Sequence, residues 1–68
     1  MGLYEYVVVG LAEDDVGDLV MQTIYKGPTL VIAKDDVTLR DEIRVSWARR
    51  DPEADMRLVE VVVRPFCG

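Results

Sequence analysis

Residues 58–63 (LVEVVV) and residues 4–9 (YEYVVV) are the two segments that decide the fold. Each places a glutamate ahead of three consecutive valines, and β-branched side chains of this kind favour strands. Residues 58–63 are apolar on both faces at their end, which is typical of a strand that meets little water on either side. We therefore expect the two segments to form the centre of one small sheet.

The length and charge of the chain limit the kinds of function that it can have. Its 68 residues make one domain near the lower limit for a single hydrophobic core. It carries 8 Lys and Arg against 13 Asp and Glu, so the net charge is −5. This charge argues against binding nucleic acid or an anionic membrane through a general positive field, and it favours basic partners. We expect residues 1–68 to form a single compact acidic domain.

The sequence carries no recognisable targeting signal. Residues 1–20 lack a basic start and an uninterrupted apolar core, so we expect no signal peptide. No apolar run is long enough to span a bilayer, and we expect no membrane association. The single cysteine, Cys67, has no partner for an internal disulfide. The expected location is the cytoplasm, or the host-cell cytoplasm if the protein is viral.

Residues 14–26 have two interpretations. As a helix, they place one apolar stripe along a face and end at the stop signal of residues 26–28. The stripe consists of Val16, Leu19, Val20 and Ile24. As a strand, residues 19–25 pair with residues 29–33 through a Lys–Gly turn, which Gly17 and the β-branched residues near position 24 support. We favour the helix.

Residues 42–49 alternate between apolar and polar side chains, with Ile43, Val45 and Trp47 on one face. This period of two predicts a strand with one wet side. A helix through Leu39, Ile43 and Trp47 is the alternative, but it would point Val45 outward. The polar residues 49–55 then predict a turn that joins this strand to the closing strand as a hairpin.

The expected fold is therefore α+β, in the order β-α-β-β-β. Its mostly antiparallel four-stranded sheet has one helix covering a face. If residues 14–26 are not helical, the alternative is an all-β five-stranded small barrel.

The chain lacks the residues that most catalytic and metal sites need. It has no histidine, which removes the commonest general base and the commonest zinc ligand. One thiol excludes a zinc site built from several thiolates. No glycine-rich phosphate-binding loop is present. We expect no enzyme, no catalytic residues, no cofactor and no metal.

An acidic cluster precedes the first basic residue, Lys26. It is interpreted either as a solvated helix start or as a surface that recognises arginines and lysines. Carboxylates along one face can imitate a phosphate backbone, which carries one charge per about 1.7 Å of duplex axis. Loops at one end of a small sheet could bring further carboxylates to it. The candidate partner-binding residues are Glu13, Asp14, Asp15, Asp18, Asp35 and Asp36.

Four arginines lie in the middle of the chain: Arg40, Arg44, Arg49 and Arg50. We expect them to form local ion pairs, each contributing about 0–1 kcal/mol when exposed. The only tryptophan, Trp47, is expected in the core, with an interface anchor as the alternative.

These features lead to two hypotheses of function. The first is a non-enzymatic acidic inhibitor of the phage type, an anti-CRISPR protein or another nucleic-acid mimic. It would block the basic surface of a nucleic-acid-binding protein without binding nucleic acid itself. The analogy with such inhibitors is one of size and charge. The second is a regulatory or assembly module that pairs through a sheet edge or the Trp47 face. Either a monomer or a homodimer is consistent with both.

Overall fold

The computed structural model describes residues 1–67, which form a three-stranded antiparallel sheet with one helix on it. In chain order the elements are β1 (Gly2–Glu13), β2 (Leu19–Ala33), α1 (Asp36–Arg50) and β3 (Val59–Pro65), with a 3-10 turn at Met56–Leu58. The sheet order is β2-β1-β3. The expected α+β class, antiparallel pairing and single helix are confirmed. Within the described residues the order is β-β-α-β, not β-α-β-β-β, and three strands stand where we expected four or a five-stranded barrel.

The two valine-rich segments pair with each other, as expected. Val8 of β1 lies opposite Val61 of β3, and the two side chains are 0% and 1% exposed. β1 occupies the centre of the sheet, as expected, but β3 is an edge strand. The expectation that residues 58–63 meet little water on either side is therefore wrong, since Glu60 and Val62 are exposed on the face away from the core. Burying a valine side chain contributes about 1.5–3 kcal/mol, so this pair is a main source of stability in so short a chain.

The hydrophobic core lies between the sheet and α1. Tyr6, Val8, Val59 and Val61 form its buried centre. Partly buried side chains from the helix, the second strand and the 3-10 turn complete it: Val31, Ile43, Trp47, Met56 and Val63. In the part of the chain that the structure describes, the helix covers one face of the sheet, and no helix or strand covers the opposite face.

The preferred helix over residues 14–26 is wrong, because a hairpin turn occupies its start. The Asp14 carboxylate accepts hydrogen bonds from the backbone N–H groups of Val16 (3.0 Å) and Asp18 (2.9 Å). The backbone N–H of Gly17 also donates to the Asp14 carbonyl at 3.1 Å. These bonds reverse the chain, so that residues 19–25 run antiparallel to β1. Their backbone N–H and C=O groups then pair with those of β1. The acid that would have complemented a helix dipole stabilises the turn.

β2 also continues through residues 26–28, where the strand interpretation placed a turn. Irregular pairing between Tyr6 and Val9 accommodates this stretch as a bulge. Gly27 has φ of +113°, and a Cβ at this position would lie 2.7 Å from the Tyr6 carbonyl oxygen. Glycine therefore lets β2 stay paired with β1 where another residue would push the strands apart.

The strand expected over residues 42–49 is wrong, because α1 covers this segment. The Asp35 carboxylate caps the helix by accepting the Thr38 backbone N–H at 2.7 Å. From this start, Leu39, Ile43 and Trp47 share one face. Val45 points outward and is 52% exposed, as the alternative required. Burial of three large side chains outweighs the exposure of one valine. Residues 51–55 consequently join a helix to β3 and do not form a hairpin.

Arg44 connects α1 to the start of β3. Its guanidinium, which is half-buried, donates to the carbonyl oxygens of Val59 (2.8 Å) and Met56 (3.1 Å). Within residues 1–67 the ion pairs are Asp55–Arg57 and Glu5–Arg64. The ion pairs expected for the four central arginines are therefore not found, and Arg44 binds backbone carbonyls.

We predict that Arg44→Met lowers the free energy of unfolding by about 1.5 kcal/mol, because it removes two charge-assisted hydrogen bonds. Arg40→Met is the matched control on the same helix, at an exposed position, and should change stability by less than about 0.5 kcal/mol. Urea denaturation monitored by circular dichroism measures both. Equal effects for the two variants would show that Arg44 does not connect the helix to β3.

Candidate functional site

The β1–β2 hairpin projects beyond the rest of the fold. β3 pairs with β1 only from Tyr4 to Gly10, so residues 11–13 and their partners on β2 continue as a two-stranded ribbon. The molecule extends 40 Å along its longest axis, against 25 Å and 17 Å in the other directions. Residues 13–18, which we call the acidic tip, lie at the end of this ribbon.

The acidic tip carries four carboxylates, those of Glu13, Asp14, Asp15 and Asp18, and all four residues are exposed. Asp14 holds the turn together through its side chain. Among residues 1–67, no hydrogen bond or ion pair engages the carboxylates of Glu13, Asp15 and Asp18. Three charges at the end of a narrow projection are therefore free to meet another molecule.

Further carboxylates lie at the same end of the molecule, in the connection from α1 to β3. This connection carries Asp51, Glu53 and Asp55. Asp51 and Asp55 border a groove together with Leu11, just before the acidic tip. The sequence predicted that loops could bring further carboxylates to the acidic cluster, but these three residues were not among the candidate partner-binding residues. Their grouping follows from the helix at 36–50, which runs back toward the tip end of the sheet.

Asp55 and Arg57 form the ion pair of this connection. The arginine Nη2 lies 2.8 Å from the Asp55 Oδ2, and its Nε is 3.1 Å from Oδ1. The guanidinium and backbone N–H of Arg57 hold the pKa of Asp55 below its ordinary value, and the carboxylate raises the pKa of Arg57. Asp55 also begins the 3-10 turn, so its side chain has a structural role.

Asp35 and Asp36 do not join the acidic tip. They follow Ala33, which pairs with Gly2, whereas Glu13 pairs with Leu19 at the other end of the hairpin. At about 3.3 Å per residue, the two ends are about 35 Å apart. The six candidate residues thus divide into four at the tip and two at the start of α1. Asp36 accepts the backbone N–H of Val37 at 2.8 Å, so both aspartates serve the helix start.

The pKa of Asp35 reflects its position as the N-cap of α1. The backbone N–H of Thr38 and then its hydroxyl hold the pKa of the Asp35 carboxyl below its ordinary value of 3.8. The ionised form is favoured in the folded state. Its contribution to stability is therefore complete above the unfolded value near 3.8 and is lost as the pH falls through the lower folded value.

We predict that Asp35→Asn is less stable than the wild type at neutral pH, and that the difference shrinks once the pH falls below the folded pKa of Asp35. Urea denaturation between about pH 7 and pH 2 measures it. Asp41→Asn, at an exposed carboxylate elsewhere on the helix, controls for the change in net charge. A difference that stays constant over the whole range would contradict the role of the ionised cap.

Trp47 packs in the core, as expected. It lies against the buried cluster, and its ring stacks on Tyr25 with centroids 5.8 Å apart and an interplanar angle of 27°. Tyr25 in turn covers Gly10, where a Cβ would lie 2.6 Å from the tyrosine hydroxyl oxygen. The Trp47 face is therefore already covered by Tyr25, and this tryptophan is only partly open to a partner.

Three further findings bear on the site. In the part of the chain that the structure describes, no group of three or more His, Cys, Asp or Glu side chains is placed to hold a metal ion. No helix among the same residues has the length and apolar character needed to cross a membrane. Comparison of the chain with protein-family models, curated proteins and solved structures finds no match.

Proposed function

We propose that the protein is a non-enzymatic binding module that presents its acidic tip to a basic surface of a larger protein. The observation that carries this proposal is the projection of four carboxylates on a two-stranded ribbon, beyond the sheet and helix. A loop held out from a rigid scaffold is a common position for residues that bind a partner. Residues 13–18 contain no lysine or arginine, and Arg57, which borders a groove with Glu13 and Gly17, is paired with Asp55.

The physical chemistry of such a tip favours long-range attraction. Exposed charges of one sign steer a partner of opposite sign toward the site and speed association. Asp51 and Glu53 add negative charge at the same end, which Arg49 and Arg50 in the last turn of α1 offset in part. Asp35 and Asp36 are excluded from the binding surface in this proposal, since they lie at the far end and serve the start of α1.

The more specific form of the proposal is mimicry of nucleic acid. A partner whose basic groove accepts a phosphate backbone would accept carboxylates in the same place. Occupation of that groove would exclude nucleic acid, which is the action of an inhibitor of the anti-CRISPR kind in the cytoplasm of a host cell. Small size and acidic charge support this form, together with the projecting tip.

The test compares three forms of the protein as bait in an affinity capture from a cell lysate. The tag belongs at the N-terminus, which lies at the end of the sheet opposite the tip. The first variant combines Glu13→Gln, Asp15→Asn and Asp18→Asn, and it leaves Asp14 in place because Asp14 holds the turn. The control combines Asp36→Asn, Asp41→Asn and Glu42→Gln, which removes the same charge from α1.

We expect the wild type and the helix control to capture the same nucleic-acid-binding proteins, and the tip variant to lose them. Heparin, a polyanion that competes for basic grooves, should release them as well. Circular dichroism of each variant checks that the fold is retained. Capture by the tip variant that equals capture by the wild type would contradict the proposal, as would partners without a basic surface.

A further inference from the structure

The face of the sheet opposite α1, which we call the open face, is largely apolar, and no helix or strand within residues 1–67 covers it. Side chains alternate along a strand, so residues between the core positions of β1 and β3 point away from the helix. The exposed apolar side chains on this face come from all three strands. They are Leu3 (41%), Ile24 (56%), Leu30 (52%), Ile32 (68%) and Val62 (49%).

Such a surface is unusual for a sheet that faces water. An antiparallel sheet covered on one side normally has polar residues on the other. Here, Val9 is only 5% exposed although it lies outside the cluster beneath the helix. It lies on the central strand between its cross-strand neighbours Ile24 and Glu60. A contiguous patch of this kind marks a surface for another protein chain.

The charges on the open face suit contact with an identical copy. The whole chain carries −5, yet Glu5 and Arg64 neutralise each other here through a contact of 2.7 Å. Arg64 remains 72% exposed in its side chain, so it can bind a second carboxylate. Glu60 lies on the same face of β3, four residues before Arg64, with Val62 between them.

We propose that the open face is a homodimer interface, in which two copies pack sheet against sheet about a two-fold axis. Since symmetry brings the same patch of both copies together, the contact must be complementary to itself. A two-fold axis that lies between the two sheets, runs perpendicular to the strands and passes over Val62 brings the Val62 side chains of the two copies together. The same axis sets Glu60 of each copy opposite Arg64 of the other, which forms two new ion pairs at the rim.

The size of the face agrees with this assignment. With strands about 4.8 Å apart and about 3.3 Å per residue, the three strands cover about 500 Å². Two copies would bury about 1,000 Å², which is the lower bound for a specific interface between proteins. The dimer is therefore expected to be of modest affinity and to depend on protein concentration. It leaves the acidic tip, at the end of the hairpin, outside the contact.

Sedimentation equilibrium over a range of protein concentrations tests the proposal. The wild type should form a dimer, and Val62→Lys should weaken the dimer at least about tenfold, because it buries an unpaired charge on the symmetry axis. Val45→Lys is the matched control: Val45 is 52% exposed, close to the 49% of Val62, but it lies on α1. It should dimerise like the wild type. Thermal denaturation checks that both variants fold.

The charge pairs allow a test that only a second copy can pass. Glu60→Arg alone and Arg64→Glu alone should each weaken self-association, because like charges then meet across the axis. An equimolar mixture of the two variants should recover the dimer, since every contact between them joins opposite charges. This recovery does not depend on the role of the acidic tip, so it is separable from the proposed function.

Three results would overturn the assignment. The first is a monomeric wild type at all concentrations, which would leave the open face to a different partner. The second is a dimer that Val62→Lys does not weaken, which would place the contact elsewhere, such as the outer edge of β2. The third is a mixture of the two charge variants that associates no better than either alone.

Discussion

The packing of Val8 against Val61 is the interaction on which the rest of the structure depends. These side chains, the least exposed in the core, join the central strand to the C-terminal strand over a separation of more than fifty residues. The chain between Val8 and Val61 must therefore leave β1 and return to pair along the other edge of that strand. The hairpin with β2 and the crossover through α1 accomplish this within one sheet. β1 is therefore the central strand, with β2 on one side and β3 on the other.

The same constraint produces the features that bear on function. β1 is longer than β3, so its pairing with β2 continues beyond the core and carries the acidic tip outward. The single helix covers one face of the sheet and leaves the other apolar. One chain therefore offers two surfaces of different chemistry: a charged projection at one end and an apolar sheet face along its length. A homodimer formed through the open face about that axis would carry its two acidic tips at opposite ends, outside the contact between the sheets.

Sequence reasoning identified the valine strands, because local apolar patterns determine them. The α+β class and the packing of Trp47 were also predicted correctly, but from a helix over residues 14–26 and a strand over residues 42–49 that do not form. The prediction failed in segments whose apolar pattern fits both a helix and a strand. Residues 19–25 contain both a helical stripe and β-branched residues, and only pairing with the long β1 decides between them. In residues 42–49 the alternation of Ile43, Val45 and Trp47 obscured the helix. The decisive signal was Asp35 three residues before Thr38, a spacing that forms an N-cap.

Only part of the candidate site could be predicted from the sequence. Glu13, Asp14, Asp15 and Asp18 are neighbours in the chain and stay together in the fold. The separation of Asp35 and Asp36 from them, and the approach of residues 51–55 to them, depend on the topology of the whole chain. The role of Asp14 in the turn was also not visible, because it depends on the hydrogen bonds of a loop whose type had not been recognised.

The central claim is that charge at the acidic tip carries the binding of a partner. The most direct measurement is the affinity for a captured partner, determined by calorimetry at increasing salt concentration. Binding through the tip predicts a steep loss of affinity as salt screens the carboxylates, and a weaker salt dependence when Asp15 and Asp18 are replaced by asparagine. An affinity that does not change with salt would contradict the claim, because burial of apolar surface is not screened and would then carry the binding.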